Sequence, residues 1–158
     1  VNGYQENATA QDEVDYSAPK ARLDGMTPDV YDNVTFNLQD EFTSGGESWN
    51  GSAVYQVAWA TNWNAYADYY LGGQYSLLTM KVVPYAETFW NGKDAGIVMT
   101  VYDEQTGDVL ARKRGIEVDT KKFTIEADVS GVEYVRIEFN ANNPGFGGKM
   151  LVKDACLY

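Results

Sequence analysis

Aromatic residues interleaved with asparagine and aspartate form the chemical pattern that stands out in this sequence. They fall into three short groups: Trp59, Asn62, Trp63 and Asn64; Trp90, Asn91 and Asp94; and Asn142 and Phe146. An aromatic ring stacks on the apolar C–H face of a sugar, and amide and carboxylate groups hydrogen-bond to its hydroxyls. The pattern therefore predicts a carbohydrate-binding surface, with Trp63, Trp90 and Phe146 as the main stacking residues.

The same aromatic groups have two other interpretations. Tryptophan often fills the core of a β-sandwich, and Trp59 ends an alternating run that is equally consistent with an inward-facing side chain. Exposed aromatic loops also anchor partner proteins, so a protein-binding or cell-surface adhesion module is the alternative function. The tyrosines at positions 66, 69 and 70 are more typical of a strand that packs on both faces.

Composition excludes several classes of function. The chain has no histidine and one cysteine, which removes Ser-His-Asp triads, histidine general bases and Cys-rich or His-containing zinc sites. Its formal net charge of −11 opposes binding to phosphate backbones and to anionic lipid surfaces. We therefore expect neither nucleic acid nor membrane as a partner.

Catalysis by paired carboxylates is the enzymatic option that composition leaves open. Glu87 with Asp94, and Glu117 with Asp119, are local pairs in predicted loops. Neither pair lies in a recognisable catalytic motif, and charged loop residues in an acidic chain are usually solvated. We predict no catalytic residues and a protein that is not an enzyme.

Periodicity predicts an all-β chain. Residues 1–30 are polar and acidic and are interpreted as a linker or loosely attached arm, whereas residues 31–158 alternate apolar and polar side chains with a period of two. The predicted strands are 53–59, 66–71, 75–83, 97–103, 108–114, 123–129, 133–139 and 150–157. Antiparallel strands joined by short turns favour a two-sheet jelly-roll β-sandwich, with a closed barrel as the alternative.

The order of the strands predicts where the aromatic groups lie. Successive connections in an antiparallel sandwich alternate between its two ends. Tight turns at 71–74, 103–107 and 130–131 fall at one end. The connections at 59–64, 84–95, 115–122 and 140–149 fall at the other, so the aromatic groups share one end, while Trp49 falls at the opposite end.

The second half of the chain resembles a known family. The stretches "YYLGGQYSLLTMKVVP", "VMTVYDEQTGDVL", "FTIEADVSGVEYVRIEF" and "LVKDACLY" are similar to NPCBM-like modules, relatives of carbohydrate-binding family 51 with a galactose-binding-type β-sandwich. This resemblance implies a non-catalytic, carbohydrate-binding accessory module of a secreted or cell-surface bacterial protein. Where such modules typically carry an Asp-His-Ala-Asp-Trp-like stretch, this chain has Asn142-Asn-Pro-Gly-Phe-Gly-Gly148, in which Phe146 offers the stacking surface.

The sequence also bears on the class of ligand, on structural calcium and on the protein to which the module belongs. Similarity to acidic, Tyr- and Asn-rich modules of gut bacterial surface proteins favours starch or a plant-wall glucan. Relatives of this sandwich use calcium structurally and oxygen ligands are abundant, so structural calcium is an option, but no EF-hand-like loop assigns its ligands. The chain begins at Val1 without a signal-like segment, which predicts a monomeric module of a larger multi-domain protein.

Overall fold

Two antiparallel β-sheets pack face to face in the computed structural model, which describes residues 15–58, 64–90, 95–142 and 146–158, with only the backbone of Trp90. The strands are β1 (Ala21–Arg22), β2 (Val30–Asp32), β3 (Val34–Thr35), β4 (Thr43–Ser44), β5 (Glu47–Ser48), β6 (Ala53–Ala58), β7 (Ala65–Tyr70), β8 (Leu77–Trp90), β9 (Ile97–Asp103), β10 (Val109–Ile116), β11 (Phe123–Asp128), β12 (Tyr134–Ala141) and β13 (Gly147–Leu157). The predicted all-β antiparallel sandwich is confirmed.

The sheets have simple strand orders. Sheet A runs β11-β8-β13-β6-β3, with β1 also paired to β13, and sheet B runs β10-β9-β12-β7-β2. Each sheet turns its apolar positions inward: in β12, Val135, Ile137 and Phe139 are buried and alternate with partly exposed residues. The side chains between the sheets form the main core. In the described part of the chain, no helix has the length and apolar character that crossing a membrane requires.

Strand β8 is longer than the sequence predicts. It continues through Pro84 to Trp90, although the prediction ends the strand at Val83 and assigns the next residues to a loop. Strand β11 pairs with β8 only as far as Val82, so beyond that point β8 has β13 as its single partner in the ladder. Pro84 lies in this one-sided part, where a residue without an N–H is tolerated.

Part of the N-terminal segment packs on the sandwich. Ala21 and Arg22 pair with Leu157 and Cys156 of β13, and Leu23 is 2% exposed in the main core. The segment predicted as a polar arm thus contains residues that pack on the sandwich: Leu23 is in the core, and Ala21 and Met26 pack against it.

A second, smaller core lies on the outer face of sheet A. It contains Val54, Val83, Tyr85 and Leu151 packed around Trp49, which is fully buried. The Trp49 Nε1–H donates to the carbonyl oxygen of Ser44 over 3.2 Å, which satisfies the polar atom of the ring. Trp49 is therefore a core residue, in agreement with its omission from the predicted site.

Glu47 in β5 attaches the β4–β5 hairpin to sheet A. Its carboxylate forms ion pairs with Lys81, Lys122 and Lys153, and the ammonium of Lys153 lies 4.5 Å from the centre of the Trp49 ring. Hydrogen bonds from Lys122 and Lys153 lower the pKa of Glu47 to about 2. One carboxylate thus binds the hairpin to three basic residues above the second core.

Trp49→Ala is expected to destabilise the fold strongly, because it removes the largest side chain of the second core and leaves a cavity. The expected loss of unfolding free energy is about 3–5 kcal/mol, measured by urea denaturation. Trp49→Phe, which keeps part of the ring volume, is the matched control and should lose less. Equal stability of Trp49→Ala and the parent protein would contradict a core role.

Glu47→Gln is expected to lower stability at neutral pH and to reduce its dependence on acid. Because the folded pKa of Glu47 is depressed, its contribution is complete above the ordinary value of 4.5 and declines as pH falls towards about 2. Urea denaturation of both proteins across this pH range should show their stabilities converging at the acidic end. Parallel curves would assign the ion pairs no role in stability.

Candidate functional site

The strand ends that flank the aromatic groups meet at one end of the sandwich, called here the loop end. In sheet A, Gly147 at the start of β13 pairs with both Ala58 and Trp90, the last residues of β6 and β8. In sheet B, Ile97 at the start of β9 pairs with Ala141 and Ile116, the last residues of β12 and β10. The strand register therefore brings the strand ends that flank the predicted binding segments to a common end.

The tight turns lie at the opposite end, as strand order predicts. The Gly73 N–H donates to the carbonyl of Val132 over 3.0 Å, which joins two of these turns. The Glu104 N–H donates to the carbonyl of Tyr134 over 2.9 Å, which places the third turn beside the start of β12. Short hydrogen-bonded turns at this end and longer connections at the other make the loop end the stronger candidate for binding.

Most of the predicted site residues lie outside the described residues. These are Trp59, Asn62, Trp63, Asn91 and Asp94. Trp90 ends β8, and its backbone alone is described. Asn64, Asn142 and Phe146 are described, and the structure places all three at the loop end: Asn64 precedes β7, Asn142 follows β12 and Phe146 precedes β13.

The three described residues differ in exposure and contacts. Asn64 is exposed, and its Nδ2 donates to Glu138 Oε2 over 3.2 Å. Asn142 is exposed, with its backbone N–H donating to the carbonyl of Gly96 over 3.1 Å. Phe146 is half-buried and packs against the main core, so only part of its ring remains available to a ligand.

A local distortion of β8 shapes the scaffold beside Trp90. Gly147 pairs with Trp90 and Lys149 pairs with Tyr85, so the register shifts between these two pairs. Thr88 bridges the shift: its Oγ1 donates to the Tyr85 carbonyl over 2.7 Å and accepts from the Lys149 N–H over 3.0 Å. The ring of Phe89 lies directly over Gly148, where a β-carbon would overlap it. Glycine is therefore required for this ring position.

Glu117 lies at the same end and performs a structural task. Its Oε2 accepts from the Gly96 N–H over 3.2 Å, and its backbone N–H donates to Thr120 Oγ1 over 2.8 Å. Its Oε1 is buried and has no partner among the described residues. The carboxylate that we considered as half of an acid–base pair with Asp119 therefore positions the start of β9.

A cavity of about 280 Å³ opens between the sheets towards the end that carries the tight turns. Its walls include Leu23 and Met80, and its polar side chains are those of Asp24, Asn37, Tyr55 and Tyr69. Burial, with a smaller contribution from the charge of Asp24, raises the pKa of Tyr69 to about 12. The cavity is separate from the loop end and is not part of the predicted site.

The outer face of sheet B carries polar and aromatic residues that the sequence analysis did not assign to a site. Tyr66, Asp68 and Tyr70 of β7 and Arg136 and Glu138 of β12 lie side by side on this face. Within each strand these residues alternate with core-facing residues, and the pairing of β7 with β12 brings the two sets together on one face of the sheet. Tyr69 faces the core, so the tyrosines of β7 do pack on both faces as predicted.

Metal binding gains no support from the described residues, in which no three histidine, cysteine, aspartate or glutamate side chains come together to hold an ion.

Solved structures with a similar fold include carbohydrate-binding modules and also the K3 cleaved adhesin domain of Lys-gingipain from Porphyromonas gingivalis, the latter at 12% identity and a TM-score of 0.51 over 89% of this chain. One structure that contains such modules is the M60 catalytic domain with the CBM51-1 and CBM51-2 domains from Clostridium perfringens ZmpB, at 15% identity and a TM-score of 0.65 over 87% of this chain. This chain spans 15% of the length of that protein chain. Another is the CBM51 of Clostridium perfringens GH95 in complex with methyl-galactose, at 15% identity and a TM-score of 0.65, covering 87% of this chain and 99% of the other.

A further similar structure belongs to a different module family. It is Caldicellulosiruptor saccharolyticus CBM27-1 in complex with mannohexaose, at 12% identity and a TM-score of 0.51, with 81% of each chain covered. No family model matches the sequence, and no curated protein matches it. The chain thus has the β-sandwich fold of family 51 carbohydrate-binding modules, which is the fold that the sequence resemblance implies.

Gly148→Ala is expected to displace the Phe89 ring and to cost about 1–3 kcal/mol of unfolding free energy, because the added methyl group overlaps the ring. In a Phe89→Ala background the same substitution should cost much less. A double-mutant cycle measured by urea denaturation gives the coupling between the two positions. A coupling near zero would contradict the contact.

Proposed function

We propose that this chain is a non-catalytic carbohydrate-binding module of a secreted or cell-surface bacterial protein. The observation that carries the proposal is the convergence of the strand ends that flank all three aromatic groups at one end of the sandwich. The similarity in fold to carbohydrate-binding modules supports the same function. Loops held by a rigid sheet are a common place for binding residues.

In this proposal the aromatic side chains stack on sugar rings. Trp63, Trp90 and Phe146 are the stacking residues, and Trp59 is a further candidate. The hydroxyl groups of the sugar are bound by neighbouring amides and carboxylates: Asn62, Asn64, Asn91, Asp94 and Asn142. Asn64 is held by its bond to Glu138, which reduces the side-chain entropy lost on binding.

Starch or a plant-wall glucan is the ligand class that we favour. A shallow stacking site uses little binding free energy per ring, so dissociation constants should be micromolar to millimolar, about −4 to −8 kcal/mol. We infer that the module acts as a monomer within a larger protein, where it holds that protein near its polysaccharide.

Protein binding is the alternative function, and a large contiguous apolar patch at the loop end would favour it over carbohydrate binding. In the described part of the chain, the large exposed apolar side chains lie elsewhere: Tyr16, Val30, Tyr31, Phe36, Tyr70 and Val109. They lie on β2 or towards the end with the tight turns.

Affinity electrophoresis tests the proposed loop-end site. The parent protein is expected to migrate more slowly in gels containing one of starch, pullulan, xylan, cellulose derivatives, mannan or galactan. Trp63→Ala and Trp90→Ala should abolish that retardation, because each removes a stacking surface. Circular dichroism and urea denaturation establish whether the variants remain folded.

Tyr16→Ala is the matched control, because it removes an exposed aromatic residue whose ring contacts Tyr158 at the opposite end. It should leave retardation unchanged. Folded tryptophan variants that bind as the parent does would overturn the assigned residues. Absence of retardation in every gel, with a negative glycan array, would favour the protein partner instead.

A further inference from the structure

A stacked ion pair lies at the centre of the outer face of sheet B. Arg136 Nε donates to Asp68 Oδ1 over 2.7 Å, and Nη2 donates to Oδ2 over 2.9 Å. The guanidinium also lies 4.2 Å from the centre of the Tyr66 ring. Asp68 is 5% exposed, so the pair is largely shielded from solvent on the carboxylate side. The Arg136 side chain is therefore held in one orientation.

Arg136 has N–H groups that its contact with Asp68 does not use. A guanidinium has five N–H donors, of which the Asp68 contact uses two. No described residue accepts a hydrogen bond from Nη1. The Arg136 side chain is 30% exposed, so a ligand on this face can reach it.

A groove of about 240 Å³ lies beside this guanidinium. Its lining consists of Tyr102, Asp103, Glu104, Gly107, Arg136 and Glu138. Strand pairing sets Tyr102 directly opposite Arg136. The turn that follows β9 forms one wall of the groove. The Asp103 carboxylate accepts hydrogen bonds from the N–H groups of Gln105 and Thr106, which fixes the conformation of this turn.

This groove combines the groups that recognise a sugar. The Arg136 guanidinium supplies hydrogen-bond donors, and Tyr102 supplies an aromatic surface. The acceptors are the carboxylates of Glu138 on the same strand and of Asp103 and Glu104 beside the turn. Adjacent hydroxyls of a pyranose each donate and accept, so a donor beside an acceptor matches a vicinal diol. We propose that the outer face of sheet B holds a second carbohydrate-binding site, which takes one sugar unit in this groove. Glu138 lies on the side of the groove nearest the loop end, where it also accepts a hydrogen bond from Asn64.

Charge disfavours an anionic ligand in this groove. An anion would meet the carboxylates of Asp103, Glu104 and Glu138, in a chain whose net charge is −11. A neutral polyol satisfies donors and acceptors together without introducing an unpaired charge.

Nuclear magnetic resonance on the full chain separates this site from the loop end. Amide spectra are recorded with maltohexaose, cellohexaose, xylohexaose, mannohexaose and a galactan oligosaccharide, each at about 10 mM, tenfold above a millimolar dissociation constant. We expect at least one probe to shift the amide signals of Tyr102, Glu104 and Gly107 in a saturable manner.

Two variants test the groove, with one matched control. Tyr102→Ala removes the aromatic surface, and Arg136→Lys keeps the positive charge opposite Asp68 but loses the planar fork. Each should weaken the shifts at the groove at least tenfold and leave ligand-induced shifts at the loop end unchanged. Arg112→Lys is the control, because Arg112 is exposed on neighbouring β10 and bonds to Thr100 outside the groove.

The outcomes distinguish the two proposed sites. Saturable shifts at the groove that the two variants weaken support the inference, whether or not the loop end also responds. Shifts at the loop end alone, with every probe, overturn the second site and leave the proposed function intact. Shifts at neither place overturn both. Groove shifts that persist in folded Tyr102→Ala and Arg136→Lys proteins also overturn the second site.

Discussion

The pairing of β13 with two strands at once is the constraint on which the loop end depends. Gly147 is the first residue of β13, and it is the register partner of Ala58 on one side and of Trp90 on the other. The hydrogen-bond ladder below these residues extends along most of β13 on both sides. The ends of β6 and β8, which are far apart in sequence, therefore lie beside the same residue of β13, so backbone pairing fixes where the connections after Ala58 and Trp90 begin.

A second set of interactions shields Trp49 and its apolar neighbours on the outer face of sheet A from solvent. The segment that contains β4 and β5 covers Trp49, and Glu47 binds it to three lysines on the underlying strands and the β11 end. A single surface ion pair contributes little to stability. Here one carboxylate pairs with three lysines and holds the hairpin next to the buried ring of Trp49. The outer face of sheet A is thus covered around Trp49, whereas Arg136 on the outer face of sheet B keeps part of its side chain exposed.

Much of the fold was predictable because the sequence alternates with a period of two. The buried positions of β11 and β12 follow that alternation directly, and strand order correctly separated the loop end from the end with the tight turns. The length of β8 was not predictable, because proline usually ends a strand, and only the sheet shows that β11 stops before Pro84. Local pattern cannot reveal where a neighbouring strand ends.

The two candidate sites differ in what the sequence reveals. Aromatic residues beside asparagine are visible within a few positions, whereas Asp68 and Arg136 are separated by 68 residues and meet only through the register of β7 and β12. For the loop end, the predicted residues Asn64, Asn142 and Phe146 have described positions there, and the roles of all the predicted residues remain predictions.

The one-sided part of β8 also bears on how this module behaves among copies of itself. A strand whose backbone lacks a neighbour can accept a strand from another molecule, which is a route to aggregation. Beyond Val82, β8 has no ladder partner on the β11 side in the described part of the chain, and Pro84 lies two residues further on. Since proline carries no N–H, it removes a donor from that backbone and interrupts the template that an incoming strand would need. Pro84, which makes the strand hard to predict from the sequence, thus makes this strand edge a poorer template for pairing with a second copy of the chain.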